Sequence, residues 1–171
     1  MSTFPHFFQL SAMDCGPSCL KSIAKFYNRE ISIDLLRQKC QISRIGVSLL
    51  GISEAAEYIG LKTLAAKVSF EQLIENRAFP CILHWNQNHF VVLYRIKNNK
   101  YYIADPGKGL ITYTLDEFKK HWLSTNTNGE DKGIAMFLET TPAFFAYKMQ
   151  NEENIKEKRS FRFLLGYVKK Y

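Results

Sequence analysis

The chain is poor in several things that would have decided its class at once. Its 171 residues contain no apolar run near the ~18 residues needed to cross a bilayer. The first residues, Met-Ser-Thr-Phe-Pro-His, lack the basic start and apolar stretch of a secretory signal. Cysteines number four, at 15, 19, 40 and 81. With no mark of export, they are expected to be reduced thiols in a cytosolic setting. There is no internal repeat, and Gly107-Lys108-Gly109 lacks the pattern of a phosphate-cradling loop. The basic excess is also misplaced for nucleic acid. Of the net charge of +7, residues 155–171 supply +5, so residues 1–154 carry only +2 and form no basic stripe.

What remains is an ordinary globular composition, 46% hydrophobic and 23% charged, which excludes general disorder. Leu20, Ile23, Ala24 and Tyr27 recur at helical spacing, predicting a helix over 15–27 with Asp14 as its N-cap. Ser32 is expected to cap a second helix carrying Leu35 and Leu36. A third runs over about 50–58 and stops at Gly60. A strand over 62–68 and a short helix over 69–76 follow. The texture then changes to short β-branched and aromatic runs at 81–85, 90–96, 101–104, 110–113 and 133–139. Asn86-Gln87-Asn88 and Lys97-Asn98-Asn99-Lys100 read as hairpin turns. A helix over 114–122 opens on a capping-box pattern. Helices first and antiparallel strands second predict an α+β fold, an N-terminal helical lobe packed on a C-terminal antiparallel sheet lobe.

The domain is expected to span 1–140, followed by a linker over 141–154. In residues 155–171, Phe161, Leu164, Leu165, Val168 and Tyr171 share one helical face edged by Lys158, Arg162 and Lys169. Such a basic amphipathic helix suits a membrane surface or a partner groove. Its abrupt stop suggests a piece of something longer.

The chemistry concentrates in Gln9-Leu-Ser-Ala-Met-Asp14-Cys15-Gly16-Pro17-Ser18-Cys19-Leu20. A thiol at a helix N-terminus loses its proton more readily, because the helix dipole and unpaired N–H groups favour the anion. The Gln9 amide and the Cys15 N–H are placed to converge on one developing oxyanion. Gly16 is expected to let a substrate backbone approach. His89, opening the run His-Phe-Val-Val-Leu-Tyr, supplies a base, and Asp105, after the strand Tyr-Tyr-Ile-Ala, supplies its orienter. Together these describe a cysteine peptidase. Each has a plainer alternative: Asp105-Pro-Gly is a standard turn opener, and a lone strand histidine is often a core group. Cys19 is expected in the core, and His6, His84 and His121 as structural or exposed. A zinc site from Cys15, Cys19, Cys81 and His84 has ligand spacing in its favour. Against it, one pair lies in a helix and the other in a core strand.

These motifs resemble the peptidase domains at the N-termini of bacterial ABC exporters that process bacteriocins and related peptides. The segments that carry the likeness are Gln9 to Leu20, Gly46-Val-Ser-Leu-Leu-Gly-Ile-Ser, Pro80-Cys-Ile-Leu-His-Trp, His89-Phe-Val-Val-Leu and Asp105-Pro-Gly-Lys-Gly109. The resemblance implies a papain-like fold with Cys15 as nucleophile, His89 as general base and acid, Asp105 as orienter and Gln9 as oxyanion donor. It implies cleavage of a precursor's amphipathic helical leader after a double-glycine or Gly-Ala pair, with no metal and no cofactor at the peptidase site. ATP would serve only the exporter's ATPase domain. The implied partners are that domain, the transmembrane domain and, through 155–171, the membrane surface, with no nucleic acid. The implied location is the cytoplasmic face of the bacterial plasma membrane. A non-catalytic domain that docks cargo to an exporter is the competing expectation.

Overall fold

The computed structural model describes residues 3–147. The basic segment 155–171, and the expected linker beyond residue 147, lie outside them.

Three helices come first: α1 (Cys15–Phe26), α2 (Ile33–Lys39) and α3 (Leu49–Tyr58). Strand β1 (Leu61–Ser69) and α4 (Phe70–Asn76) lead to an antiparallel meander of β2 (Cys81–Trp85), β3 (His89–Lys97), β4 (Lys100–Asp105) and β5 (Gly109–Tyr113). Helix α5 (Leu115–Trp122), β6 (Thr125–Thr127) and the long β7 (Glu130–Thr140) complete the order. All pairings are antiparallel, in the order β1-β7-β2-β3-β4-β5, with β6 added to β7.

The α+β expectation describes this arrangement, but the helices divide between the two faces of the sheet. Residues alternate along β2, so Ile82 packs with Cys19, Leu20, Ile23, Ile52 and Met136 in a core beneath α1 to α3. Cys81, Leu83 and Trp85 turn the other way, into a second core with Leu73 of α4 and Phe118 and Trp122 of α5. Both faces are covered, which is why β2 and β3 read as nearly continuous apolar runs.

Local chemistry explains the punctuation. Ser48 accepts a hydrogen bond from Gly51 N at 3.0 Å and caps α3. Ser69 with Gln72, and Thr114 with Glu117, form complete capping boxes. The turn between β3 and β4 places Asn98 and Asn99 at positive φ (51° and 55°), a conformation asparagine tolerates better than most residues. Two expected caps make no side-chain bond: Ser32 stands at the N-cap position of α2 without one, and Asp14 directs its carboxylate elsewhere. The Asp14 carboxylate makes no cap bond to α1; it is buried, accepts from Ser11 N at 3.0 Å and pairs with Arg37 Nε at 3.0 Å. Residues 142–147, expected as linker, include a helical turn whose Phe144 is fully buried in the first core.

Candidate active site

Cys15 is the first residue of α1 and is 4% exposed. The face of α1 formed by Cys19, Leu20, Ile23 and Ala24 is completely buried, and this anchors the helix so that its N-terminus lies at one end of the sheet. His89 opens β3 directly opposite Trp85 of β2, after the turn 86–88, in which Asn86 and Gln87 have positive φ. Asp105 ends β4, one residue past Ala104, which pairs with Val92 of β3. The meander therefore delivers the histidine and the acid to the same end of the sheet.

There His89 Nε2 donates to Asp105 Oδ1 at 2.7 Å. A carboxylate only accepts, so Nε2 carries the proton and Nδ1 is the nitrogen left for the Cys15 thiol, the ring's second hydrogen-bond partner. Burial pushes the His89 pKa down, but the bonds and charges of Asp105 and Cys15 outweigh it and raise the value to about 9. The Asp105 carboxyl is 2% exposed. Burial alone would raise its pKa. The His89 bond, the Gly107 N–H at 2.8 Å and the nearby Lys108 charge hold it below its ordinary value instead. An anion and an imidazolium that stabilise each other beside a thiol form an arrangement able to move a proton to and from sulfur.

Gln9 is tied to the same corner. Its backbone N–H donates to Pro106 O at 2.9 Å, and its side-chain amide lies against Gly107. The Gln9 Oε1 atom is buried and makes no hydrogen bond among the described residues, so no internal partner occupies it. The structure thus brings Cys15, His89 and Asp105 together, with Gln9 anchored to the Asp105 turn.

One sequence-based expectation changes, and the zinc alternative fails on geometry. Gly16 is needed for packing, because a Cβ there would stand 2.7 Å from Ile52 and 2.9 Å from Val47, both of the α3 region. Val47 also lines, with Leu49, His84, Asn88 and Phe90, a hollow of about 350 Å³. The zinc set does not assemble: Cys81 faces the second core while Cys15 and Cys19 face the first, and Cys19 donates to Phe90 O. Among the described residues no three His, Cys, Asp or Glu side chains group as a metal would require. His6 is more than a surface group, since its Nε2 lies 2.8 Å from the Asp105 carbonyl oxygen. Nothing in Phe4-Pro5-His6 signals that contact, which joins residues 99 apart. The other two histidines pack on aromatics, His84 on Phe90 with its pKa lowered by burial, and His121 on Trp85.

Known proteins resemble the chain in sequence and in fold. Residues 3–127 match the peptidase C39 family. The colicin V secretion/processing ATP-binding protein CvaB of Escherichia coli is 34% identical over 118 residues, 69% of this chain. The lactococcin-G-processing and transport ATP-binding protein LagD of Lactococcus lactis is 31% identical, covering 96% of this chain. The chain spans only 17% of CvaB and 24% of LagD. Among solved structures, a double glycine motif protease from an AMS/PCAT transporter, in complex with its leader peptide, superposes with a TM-score of 0.72 at 32% identity. That match covers 81% of this chain and 93% of the other. The peptidase domain of Streptococcus ComA gives a TM-score of 0.70 at 27% identity, with coverage of 81% and 100%. With the family matched across most of its length, this chain belongs to the peptidase C39 family of cysteine peptidases.

Proposed function

We propose that the chain is an endopeptidase that cuts the leader from a precursor peptide after a glycine pair, as part of an ABC exporter. The observation that carries this reading is the His89 ring, which bonds Asp105 through Nε2 and meets the Cys15 thiol at the N-terminus of α1. The relatives' names, as secretion/processing proteins, and the leader-bound protease support the substrate class.

In the proposed reaction the Cys15 sulfur, its proton passed to His89, attacks the carbonyl of the second glycine. The Cys15 N–H and the Gln9 amide hold the oxyanion. His89, oriented by Asp105, then gives its proton to the departing amine of the cargo, and the leader remains as a thioester on Cys15. Water, deprotonated by the same ring, attacks the thioester, and the sulfur leaves as the leader acid is released. These steps need no cofactor; ATP belongs to an exporter's ATPase domain. Residues beyond the peptidase domain, the basic 155–171 among them, lead in this reading to the transmembrane part, at the cytoplasmic face of a bacterial plasma membrane. A cleft that admits only glycine at the cut site excludes most other chains.

Incubation of the chain with a glycine-pair precursor, followed by mass spectrometry, tests the proposal. Two fragments that meet after the pair support it. Intact precursor that binds but is not cut assigns the chain to cargo docking instead.

A further inference from the structure

We propose that His6 is a positioning residue for this reaction: its ring N–H anchors the Asp105 main chain and, through Asp105, fixes the His89 ring. The proposal rests on the reading of Asp105 as orienter given above.

The Asp105 carbonyl oxygen receives two donors. One is Lys108 N at 3.1 Å, a local bond any turn of this shape makes. The other is His6 Nε2 at 2.8 Å, from the far end of the chain. A carbonyl oxygen only accepts, so Nε2 of His6 holds a proton whether the ring is neutral or charged, and the bond persists across the working pH range. The ring itself is fixed edge-on against Phe8, with centroids 4.6 Å apart at 81°.

The segment around His6 is pinned on both sides. Phe4 is buried, stacks on Tyr94 of β3 at 4.5 Å and 9°, and meets Phe26 of α1 at 5.4 Å. Five residues on, Gln9 N donates to Pro106 O at 2.9 Å. Residues 4–9 therefore run as a strap from β3 to the Asp105 turn, and they end at the residue proposed to bind the oxyanion. The orienting carboxylate has one side-chain torsion less freedom than a glutamate and takes its direction from its own backbone. Catalytic geometry tolerates displacements of only about 0.5 Å. The His6 donor on the backbone carbonyl of residue 105 adds, from outside the turn, to the hold that Lys108 N and Gly107 N supply from within it.

The test compares His6→Phe, which keeps a ring against Phe8 but has no N–H, with His6→Gln, which restores a donor without the ring. Asp105→Asn serves as the reference. For each, kcat and KM on a glycine-pair precursor, the thermal midpoint and the NMR titration of His89 are measured. His6→Phe is expected to lower kcat about three- to tenfold, the worth of one neutral hydrogen bond, with KM unchanged. The His89 titration is expected to move below about 9, and His6→Gln to recover most of both losses. A His6→Phe enzyme with wild-type kcat and titration, while Asp105→Asn loses both, overturns the proposal and leaves the site reading intact. Equal losses in His6→Phe and His6→Gln show that restoring a donor recovers nothing, which also overturns it. A fully active Asp105→Asn enzyme removes the site reading and the proposal together.

Discussion

Replacing Asp105 with asparagine isolates the charge of the orienting group. The amide oxygen can still accept from His89 Nε2 and from Gly107 N, so the ring tautomer and the turn are retained while the negative charge is lost. In the folded protein His89 titrates at about 9 against an ordinary value of 6.5. That difference is worth about 3 kcal/mol of imidazolium stabilisation, at roughly 1.4 kcal/mol per pH unit. Burial opposes the shift, and Cys15 contributes part of it along with Asp105. Asp105→Asn should therefore forfeit between about one and 3 kcal/mol, a loss of roughly fivefold to 160-fold in kcat/KM. The alkaline limb of the rate profile should also move to lower pH, because an unsupported imidazolium loses its proton sooner. Steady-state cleavage of a glycine-pair precursor from pH 5 to 10 measures both. Unchanged rates and an unmoved alkaline limb would return Asp105 to the role of a turn opener and refute the electrostatic argument.

Other consequences are equally direct. Gln9→Ala should lower kcat by about 10²–10³ if its amide holds the oxyanion, and an unchanged kcat removes Gln9 from the site. Gly16→Ala forces a methyl group to within 2.7 Å of Ile52, and overpacking of this kind costs about 1–3 kcal/mol, readable as a lower urea midpoint. A wild-type midpoint would show that α1 and α3 can separate freely. The His89–Asp105 pair also predicts a pH-dependent stability. The folded pKa of His89 is raised, so its contribution is complete below about 6.5 and is lost as pH rises through 9. The folded pKa of Asp105 is depressed, so its contribution is present above the ordinary carboxylate value and fades as pH falls below it. Urea midpoints across pH should show this plateau in the wild type and a flatter one in Asp105→Asn; identical curves would contradict the pairing.

How far the site was legible in the sequence depends on whether each contact is local. The start of α1 follows from helical spacing, and His89 and Asp105 follow from their places at the mouth of one strand and just past another that could pair beside it, so residues distant in sequence could be assigned to one site. The face chosen by α4 and α5 was not legible. Their capping boxes give position but not which side of the sheet each will cover. Asp14 has the composition of an N-cap, yet Arg37, 23 positions on in another helix, draws its carboxylate away. Thr125–Thr127 is three polar residues with no hydrophobic period, and becomes a strand only because β7 offers an edge. Phe144 follows Thr-Thr-Pro, which reads as an ending, and is buried because its ring meets Tyr27 and Arg29 at the end of α1. His6 and Gly16 depend wholly on tertiary partners, and no local pattern announces either.

The central claim is that the sulfur at position 15, and no other thiol in the chain, forms the bond to the substrate carbonyl. A leader peptide ending in a glycine pair with a C-terminal chloromethyl ketone would report this directly, because a reactive thiolate beside the bound ketone displaces chloride and leaves a stable thioether. Tandem mass spectrometry should then find one equivalent on Cys15, none on Cys19, Cys40 or Cys81, and none at all on the Cys15→Ala protein. Modification of another cysteine at equal yield, or an adduct that survives Cys15→Ala, would contradict the account.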